Sequence, residues 1–249
     1  MLKIFNKIIF TIITTVFFLA SFSSYALDKN LIIRHAGGSI DGKIYTNSLE
    51  ALTKSIELGY NFIELDLQVS LDNKIIFTHD WKTFKKQTNS KSSERITKEK
   101  YLKKKIFNKY QTIDSNEINN LMVKYENLYL ITDKINDFKL IRDSFLKFEN
   151  IIIEIFGVKN YIKSFFIKEM KNKNRLFSTH LSFKHRTFIN LMNIKQIAIP
   201  CSRILLNEIY AKEFVADGGD IFCYTSNDEK QIQNLFDKKL ITKVYSDHL

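Results

Sequence analysis

Proline is nearly absent from this chain, with one residue in 249 where ordinary usage is about 5%. That excludes collagen-like and proline-rich linker designs. Two cysteines are too few for a disulfide scaffold or a cysteine-rich zinc module. Neither their number nor their spacing argues for a bond, so Cys201 and Cys223 read as two buried thiols. No repeat of fixed period, no long low-complexity tract and no linker divides the chain. Disorder is excluded by 45% hydrophobic residues beside 26% charged ones. No recognition motif accompanies the net charge of +11, so nucleic acid is not expected as a partner.

An apolar run of membrane-spanning length is also missing. Ile8 to Ala20 is uncharged and largely apolar but covers only thirteen residues, short of the ~20 a spanning helix needs. Lys3 and Lys7 precede that run, and Ser24-Tyr25-Ala26 follows it with small residues at the two positions a signal peptidase reads. Residues 1–26 therefore read as a cleaved secretory signal peptide, leaving residues 27–249 in a periplasmic or secreted, oxidising location. Retention as a membrane anchor is the alternative.

What the chain does have is alternation. Short β-branched runs stand at 31–34, 61–67, 128–132, 151–155, 175–179, 196–200, 221–225 and 242–246. Between most of them lie amphipathic helical stretches such as 47–58, 136–148 and 204–216. Eight β units in a chain of this size predict an α/β fold, the (β/α)8 TIM barrel. An open doubly wound sheet is the alternative, but no Gly-x-Gly-x-x-Gly follows any strand. A further strand-like run, 74–78, follows the turn pair Asp72-Asn73 and is expected to double back beside the second strand.

In such a barrel, chemistry sits where strands end, on the face built by the βα loops. His35 ends the first strand, Glu64 and Asp66 lie on the second, and His79 ends the extra run. Asp133 ends the third strand and Glu154 lies near the end of the fourth. Glu64 and Asp66 are two apart and so point to one side of their strand. Inward carboxylates among Phe62, Ile63, Leu65 and Leu67 are costly unless paired. Mg2+ or Ca2+ removes that cost, because hard cations prefer carboxylate oxygens. The competing reading puts strand two at an edge, with both carboxylates in water. Two strand-end histidines supply an acid–base pair, since imidazole titrates near neutral pH. His180, His185 and His248 read as structural, with His180 near enough to the rim to touch substrate. Asp80 either orients His79 or caps a turn, and Trp81 either walls the pocket or packs.

The stretch from His35-Ala36-Gly37-Gly38 through Thr46-Asn47-Ser48 and Glu64-Leu65-Asp66 to His79-Asp80 resembles the glycerophosphodiester phosphodiesterase family. That family is a (β/α)8 barrel related to phosphatidylinositol-specific phospholipase C. Tyr224-Thr225-Ser226-Asn227 and Val244-Tyr245-Ser246-Asp247 are similar to its later motifs. The resemblance implies that His35 and His79 are the general acid and base. It also implies a divalent metal, Ca2+ or Mg2+, on Glu64 and Asp66, with a third carboxylate from a later strand. At that place stands Ile131-Thr132-Asp133-Lys134, which makes Asp133 the implied ligand and Glu154 its replacement. Sphingomyelinase D-like relatives also use Asp there, which keeps a phospholipid headgroup open as substrate.

Two positions depart from the pattern. Ala36 stands where the family has Arg after the first His, and Arg34, as a strand neighbour, points the opposite way. Phosphate charge then falls to the metal, to Lys134 or another base, or to the Gly37 and Gly38 amides; Tyr224 joins Lys134 and Glu154 among the implied substrate contacts. The family's Pro-Glu-Asn-Thr is here Tyr45-Thr46-Asn47-Ser48, without the Glu, and Asn47 reads as the N-cap of the following helix.

Basic charge collects in one segment. Between Lys82 and Lys109 eleven basic residues face only Glu94 and Glu99, so 82–109 carries +9 and the rest of 27–249 is neutral. This segment is expected to be an insertion that covers the rim and meets anionic substrate or an anionic membrane surface. A solvated lysine-rich face is the plain alternative. The residues and the resemblance together point to a metal-dependent phosphoric diester hydrolase that splits glycerophosphodiesters into glycerol phosphate and an alcohol. The alternatives are a phospholipase, sphingomyelinase D-like or phosphatidylinositol phospholipase C-like, and a barrel that only binds phosphodiesters.

Overall fold

The computed structural model describes residues 27–249; the signal-like segment 1–26 lies outside the described residues. In chain order the strands begin with β1 (Ile32–Arg34), β2 (Phe62–Val69), β3 (Ile75–Phe77), β4 (Lys105–Ile106) and β5 (Tyr110–Gln111). They continue with β6 (Tyr129–Asp133), β7 (Ile151–Phe156), β8 (Arg175–Ser178), β9 (Gln196–Pro200), β10 (Asp220–Tyr224) and β11 (Lys243–Ser246). Eight of these form a parallel ring in the order β1-β2-β6-β7-β8-β9-β10-β11, closed where β11 pairs with β1. Closure removes the edge that β2 would otherwise have presented to water. Glu64 and Asp66 are accordingly buried, and the solvated-edge reading is corrected.

The apolar runs are continuous because each strand is covered on both faces. Ile33, Ile131, Ile152, Leu176, Ala198, Phe222 and Tyr245 fill the barrel interior. Their chain neighbours Ile32, Leu130, Ile153, Phe177, Ile199, Cys223 and Val244 face outward into the layer under the helices. The helices are α1 (Leu49–Glu57), α2 (Trp81–Thr88), α3 (Lys98–Leu102), α4 (Ser115–Lys124) and α5 (Phe138–Ser144). After them come α6 (Val158–Ser164), α7 (Phe183–Leu191), α8 (Cys201–Ile204), α9 (Glu208–Ala216) and α10 (Glu229–Asp237). The single helix expected over 204–216 is interrupted by a tighter turn, Leu205–Asn207, which separates α8 from α9. No helix among the described residues is long and apolar enough to cross a membrane.

Two expectations need correcting here. Cys201 and Cys223 are not free thiols but form a disulfide, with Cα atoms 5.0 Å apart. Cys223 lies opposite Ile199 in the β9–β10 ladder, and α8 folds Cys201 back over that pair. Only the adjacency of two strands brings the sulfurs together. The basic segment 82–109 is a folded appendage of α2, α3 and the β4–β5 hairpin, built around Ile76, Phe84 and Tyr101. It packs beside the loop after β1: Gln87 Nε2 donates to Tyr45 O at 2.9 Å, and Lys109 and Tyr110 both bond Asp41. It buttresses that loop rather than covering the rim.

Candidate active site

β3 runs antiparallel to the far end of β2, with Leu67 opposite Phe77, and so returns the chain to the barrel mouth at His79. A cleft of about 460 Å³ opens there, lined by His35, Tyr45, Glu64, His79, Asp133, Lys134, Glu154, Phe156, Tyr224, Thr225 and Tyr245. A larger groove of about 830 Å³ lies between Lys29, Tyr60 and α10, and shares none of these groups.

The carboxylates come from two neighbouring strands. Register sets Asp66 opposite Asp133, with Glu64 two residues back on the same face of β2. One carboxylate oxygen from each of Glu64, Asp66 and Asp133 lies within 4.8 Å of the others. Glu64 Oε2 accepts from the Ala36 amide at 2.7 Å and Asp66 Oδ2 from Asn47 Nδ2 at 2.9 Å. The remaining oxygens, Glu64 Oε1 and Asp66 Oδ1, are buried with no hydrogen-bond partner among the described residues. Lys134 Nζ is 3.2 Å from Asp66 Oδ1, out of line for a hydrogen bond, and 2.5 Å from Asp133 Oδ2.

This crowding shows in proton affinity. Burial, then the charges of Asp66 and Asp133, pushes the Glu64 carboxyl well above the usual carboxylate range. Burial and Asp133 push Glu154 up to about 8. For Lys134, burial opposes the charge, but Asp66 and Asp133 outweigh it and hold the ammonium protonated. One lysine does not neutralise this group. Two buried, unpartnered carboxylate oxygens beside a third carboxylate are a donor set that fits a hard divalent cation.

Both histidines are anchored to carboxylates. His35 Nδ1 lies 2.8 Å from Asp247 Oδ1, and Asp247 Oδ2 accepts from Asn227 Nδ2 at 2.8 Å. His79 Nδ1 lies 2.6 Å from Asp80 Oδ2, while Asp80 Oδ1 accepts from the Thr83 amide at 2.6 Å. Asp80 therefore does both expected jobs, orienting His79 and capping α2. Burial works against the charge on Asp80, but its bonds from Thr83 and His79 win and hold the carboxyl at about 2. Asp247 is likewise held below its ordinary value, burial being outweighed by the bonds from His35 and Asn227. An ionised carboxylate only accepts, so each ring carries a proton on Nδ1 and keeps Nε2 for exchange. Tyr45 stands between the two rings, edge-on, at 4.9 Å from His35 and 5.4 Å from His79.

The structure brings His35, His79, Glu64, Asp66, Asp133, Lys134, Glu154 and Tyr224 to one site. Gly37 and Gly38 do not join them. Gly38 donates its amide to His35 O at 2.7 Å, and a Cβ there would stand 2.5 Å from Arg34 Nη2. Both glycines lie against α1, and the Gly38 amide, spent on His35 O, is not free to face the phosphate. Arg34 is buried on that same outer side, with Nε 3.2 Å from Ser55 Oγ and its guanidinium over the Tyr60 ring. The helix cap is Ser48, not Asn47. Asn47 is instead clamped to Asp66, donating from Nδ2 and accepting the Asp66 amide at 2.9 Å. His180, His185 and His248 do not line the cleft. Sequence alone assigns no role to Tyr45, Asp247 or Asn227, although each stands inside a stretch that resembles the family motifs.

No curated protein sequence matches the chain. Solved structures do. A glycerophosphodiester phosphodiesterase from Thermotoga maritima superposes with a TM-score of 0.68 at 20% identity, covering 88% of this chain and 94% of the other. A phosphodiesterase of Oleispira antarctica, in complex with the product sn-glycerol-3-phosphate, gives 0.67 at 15% identity over 87% and 92%. A protein described as a glycerophosphodiester phosphodiesterase of Galdieria sulphuraria gives 0.72 at 11% identity over 88% and 94%. At these identities the likeness concerns the fold, a (β/α)8 barrel. The family model for glycerophosphoryl diester phosphodiesterases matches residues 35–198, which include both histidines and all three clustered carboxylates. With that match over most of its length, the chain belongs to the glycerophosphoryl diester phosphodiesterase family, whose members are phosphoric diester hydrolases.

Proposed function

We propose that this enzyme hydrolyses glycerophosphodiesters to glycerol phosphate and an alcohol, with His35 and His79 exchanging protons and Glu64, Asp66 and Asp133 holding Ca2+ or Mg2+. One observation carries the reading: two carboxylate-anchored histidines flank Tyr45 beside a buried, under-neutralised carboxylate cluster. A divalent cation on those carboxylates supplies charge neutralisation to the phosphoryl oxygens. The residues do the rest. Asp247 and Asp80 hold the rings by Nδ1. One neutral ring takes at Nε2 the proton of the attacking water as its oxygen bonds to phosphorus. The other, entering as imidazolium, gives its Nε2 proton to the alcohol oxygen as the P–O bond breaks. Lys134 supplies a cation to the cleft for the phosphate charge, and Tyr224 walls the cleft. Glu154, whose carboxyl burial and Asp133 push up, lines the cleft as a further substrate contact.

The enzyme works outside the cytoplasm, as the signal-like 1–26 segment suggests and as the Cys201–Cys223 bond supports. The segment 82–109 attracts anionic surfaces from outside the cleft; three of its bases, Lys98, Lys103 and Lys109, are already ion-paired. Phosphorus NMR with glycerophosphocholine, glycerophosphoinositol and sphingomyelin, with and without chelator, tests the reading. Glycerol phosphate release that stops with chelator is expected. Turnover of sphingomyelin alone would move the enzyme to the phospholipase alternative, and chelator-resistant turnover would remove the metal.

A further inference from the structure

In the ring order β9 stands opposite β2, so the connections after β8 and β9 face the basic insertion across the barrel mouth. Their character is different. Phe183 opens α7 and is 80% exposed. Leu206, in the turn between α8 and α9, is 75% exposed, and Ile209, in the first turn of α9, is 77% exposed. Leu205 is exposed beside them. None belongs to the packing face of its element: α7 turns Ile189 inward and α9 turns Ala211 inward. Phe156, at the end of β7 beside β8, is also exposed and lines the cleft.

Charge follows the same line. Between Glu169 and Glu208 the chain has no acidic residue, and Lys184, Arg186 and Arg203 sit on these two connections. Large apolar side chains beside bases, with Glu208 the one carboxylate standing between Leu206 and Ile209 and itself ion-paired to Lys238, match the boundary of an anionic bilayer. There the apolar groups enter the acyl edge while ammonium and guanidinium groups stay with lipid phosphates. A patch of this kind on one rim marks an interaction site rather than scattered surface apolarity.

We propose that the rim formed by Phe183, Leu205, Leu206 and Ile209 docks the cleft on an anionic phospholipid bilayer, so that the diester is drawn from membrane-borne lipid. This rests on the phosphodiesterase reading of the cleft and adds the surface from which substrate is taken. The test is co-sedimentation with phosphatidylcholine–phosphatidylglycerol vesicles across a salt series. It compares the wild type with a Phe183→Ser/Leu206→Ser/Ile209→Ser variant carrying the same N-terminus. Each lost side chain should weaken partitioning roughly tenfold, about a thousandfold together. Hydrolysis of soluble glycerophosphocholine should be unchanged, because none of the three lines the cleft. As a local readout, Leu206→Trp should be quenched by brominated acyl chains, read against the wild-type emission of Trp81. Equal partitioning of the two proteins with no quenching at 206 would overturn the proposal. So would a wild-type dimer that the triple variant dissolves, since a second copy would then cover this face. If neither protein turns over glycerophosphocholine, the phosphodiesterase reading fails, and vesicle binding still decides the docking surface by itself.

Discussion

Replacing Asn47 with Ala tests how the carboxylate cluster is aimed. Its side chain is fully buried and makes two bonds to one residue, donating to Asp66 Oδ2 and accepting the Asp66 amide, each at 2.9 Å. Deleting it orphans a buried N–H and strips a donor from a buried carboxylate. At roughly 1–3 kcal/mol for each of the two groups, the expected loss is about 2–6 kcal/mol. That is a large part of the ~5–15 kcal/mol that holds a domain together, yet not all of it. With a urea slope of about 3 kcal/mol/M for a protein this size, the unfolding midpoint should fall by on the order of 1 M. Asn47 also sits at φ +46, a conformation Ala resists and Gly accepts. Asn47→Gly should therefore lose less than Asn47→Ala, and the difference isolates backbone strain. Asn47→Asp keeps the acceptor for the Asp66 amide but sets two carboxylates face to face, so it should lose stability that added Ca2+ or Mg2+ partly restores. Calorimetric titration should find cation affinity in Asn47→Ala reduced about 10–100-fold, the usual cost of losing an outer-shell partner. If Asn47→Ala unfolds within about 0.5 kcal/mol of the wild type and binds cation equally well, the clamp has no mechanical role.

Further outcomes follow from the same geometry. His35→Ala and His79→Ala should each lower turnover by about 10²–10⁴-fold with the circular dichroism spectrum unchanged, and full activity in either would remove the pair from the mechanism. The folded-state carboxyl of Asp80 lies at about 2 against an ordinary 3.8. Its stabilising contribution should thus be complete above about pH 4 and fade as pH falls toward about 2, because the unfolded chain binds that proton more tightly. Acid unfolding of Asp80→Asn should lack this component; superimposable acid titrations of the two proteins would refute it. Reducing the Cys201–Cys223 bond, which spans 22 residues, should cost roughly 3 kcal/mol by loop-closure entropy. Denaturation of Cys201→Ser/Cys223→Ser measures that, and no change in midpoint would contradict it.

The strand pattern was legible because it is local. A strand buried on both faces must read as an apolar run, and eight such runs announced the barrel before any contact was known. The same-side placement of Glu64 and Asp66 followed from the two-residue period of a strand, and the strand-end position of His35 from where its apolar run stops.

Ring closure decided the rest. Asp247 reaches His35 across 212 residues of chain only because β11 pairs with β1. The same closure turns β2 from an edge into a buried wall and leaves two carboxylate oxygens without hydrogen-bond partners among the described residues. Asn47 looked like a helix cap because Asn commonly is one. Ser48 took that place, and the left-handed backbone at Asn47 carried its amide onto Asp66 instead. Arg34 and Gly38 fill the space behind β1, and Tyr45 enters the gap between the histidines on a loop braced by the basic appendage. No periodicity encodes these meetings. They are set by which strands become neighbours and by how far each loop must travel, quantities that exist only once the chain has closed on itself.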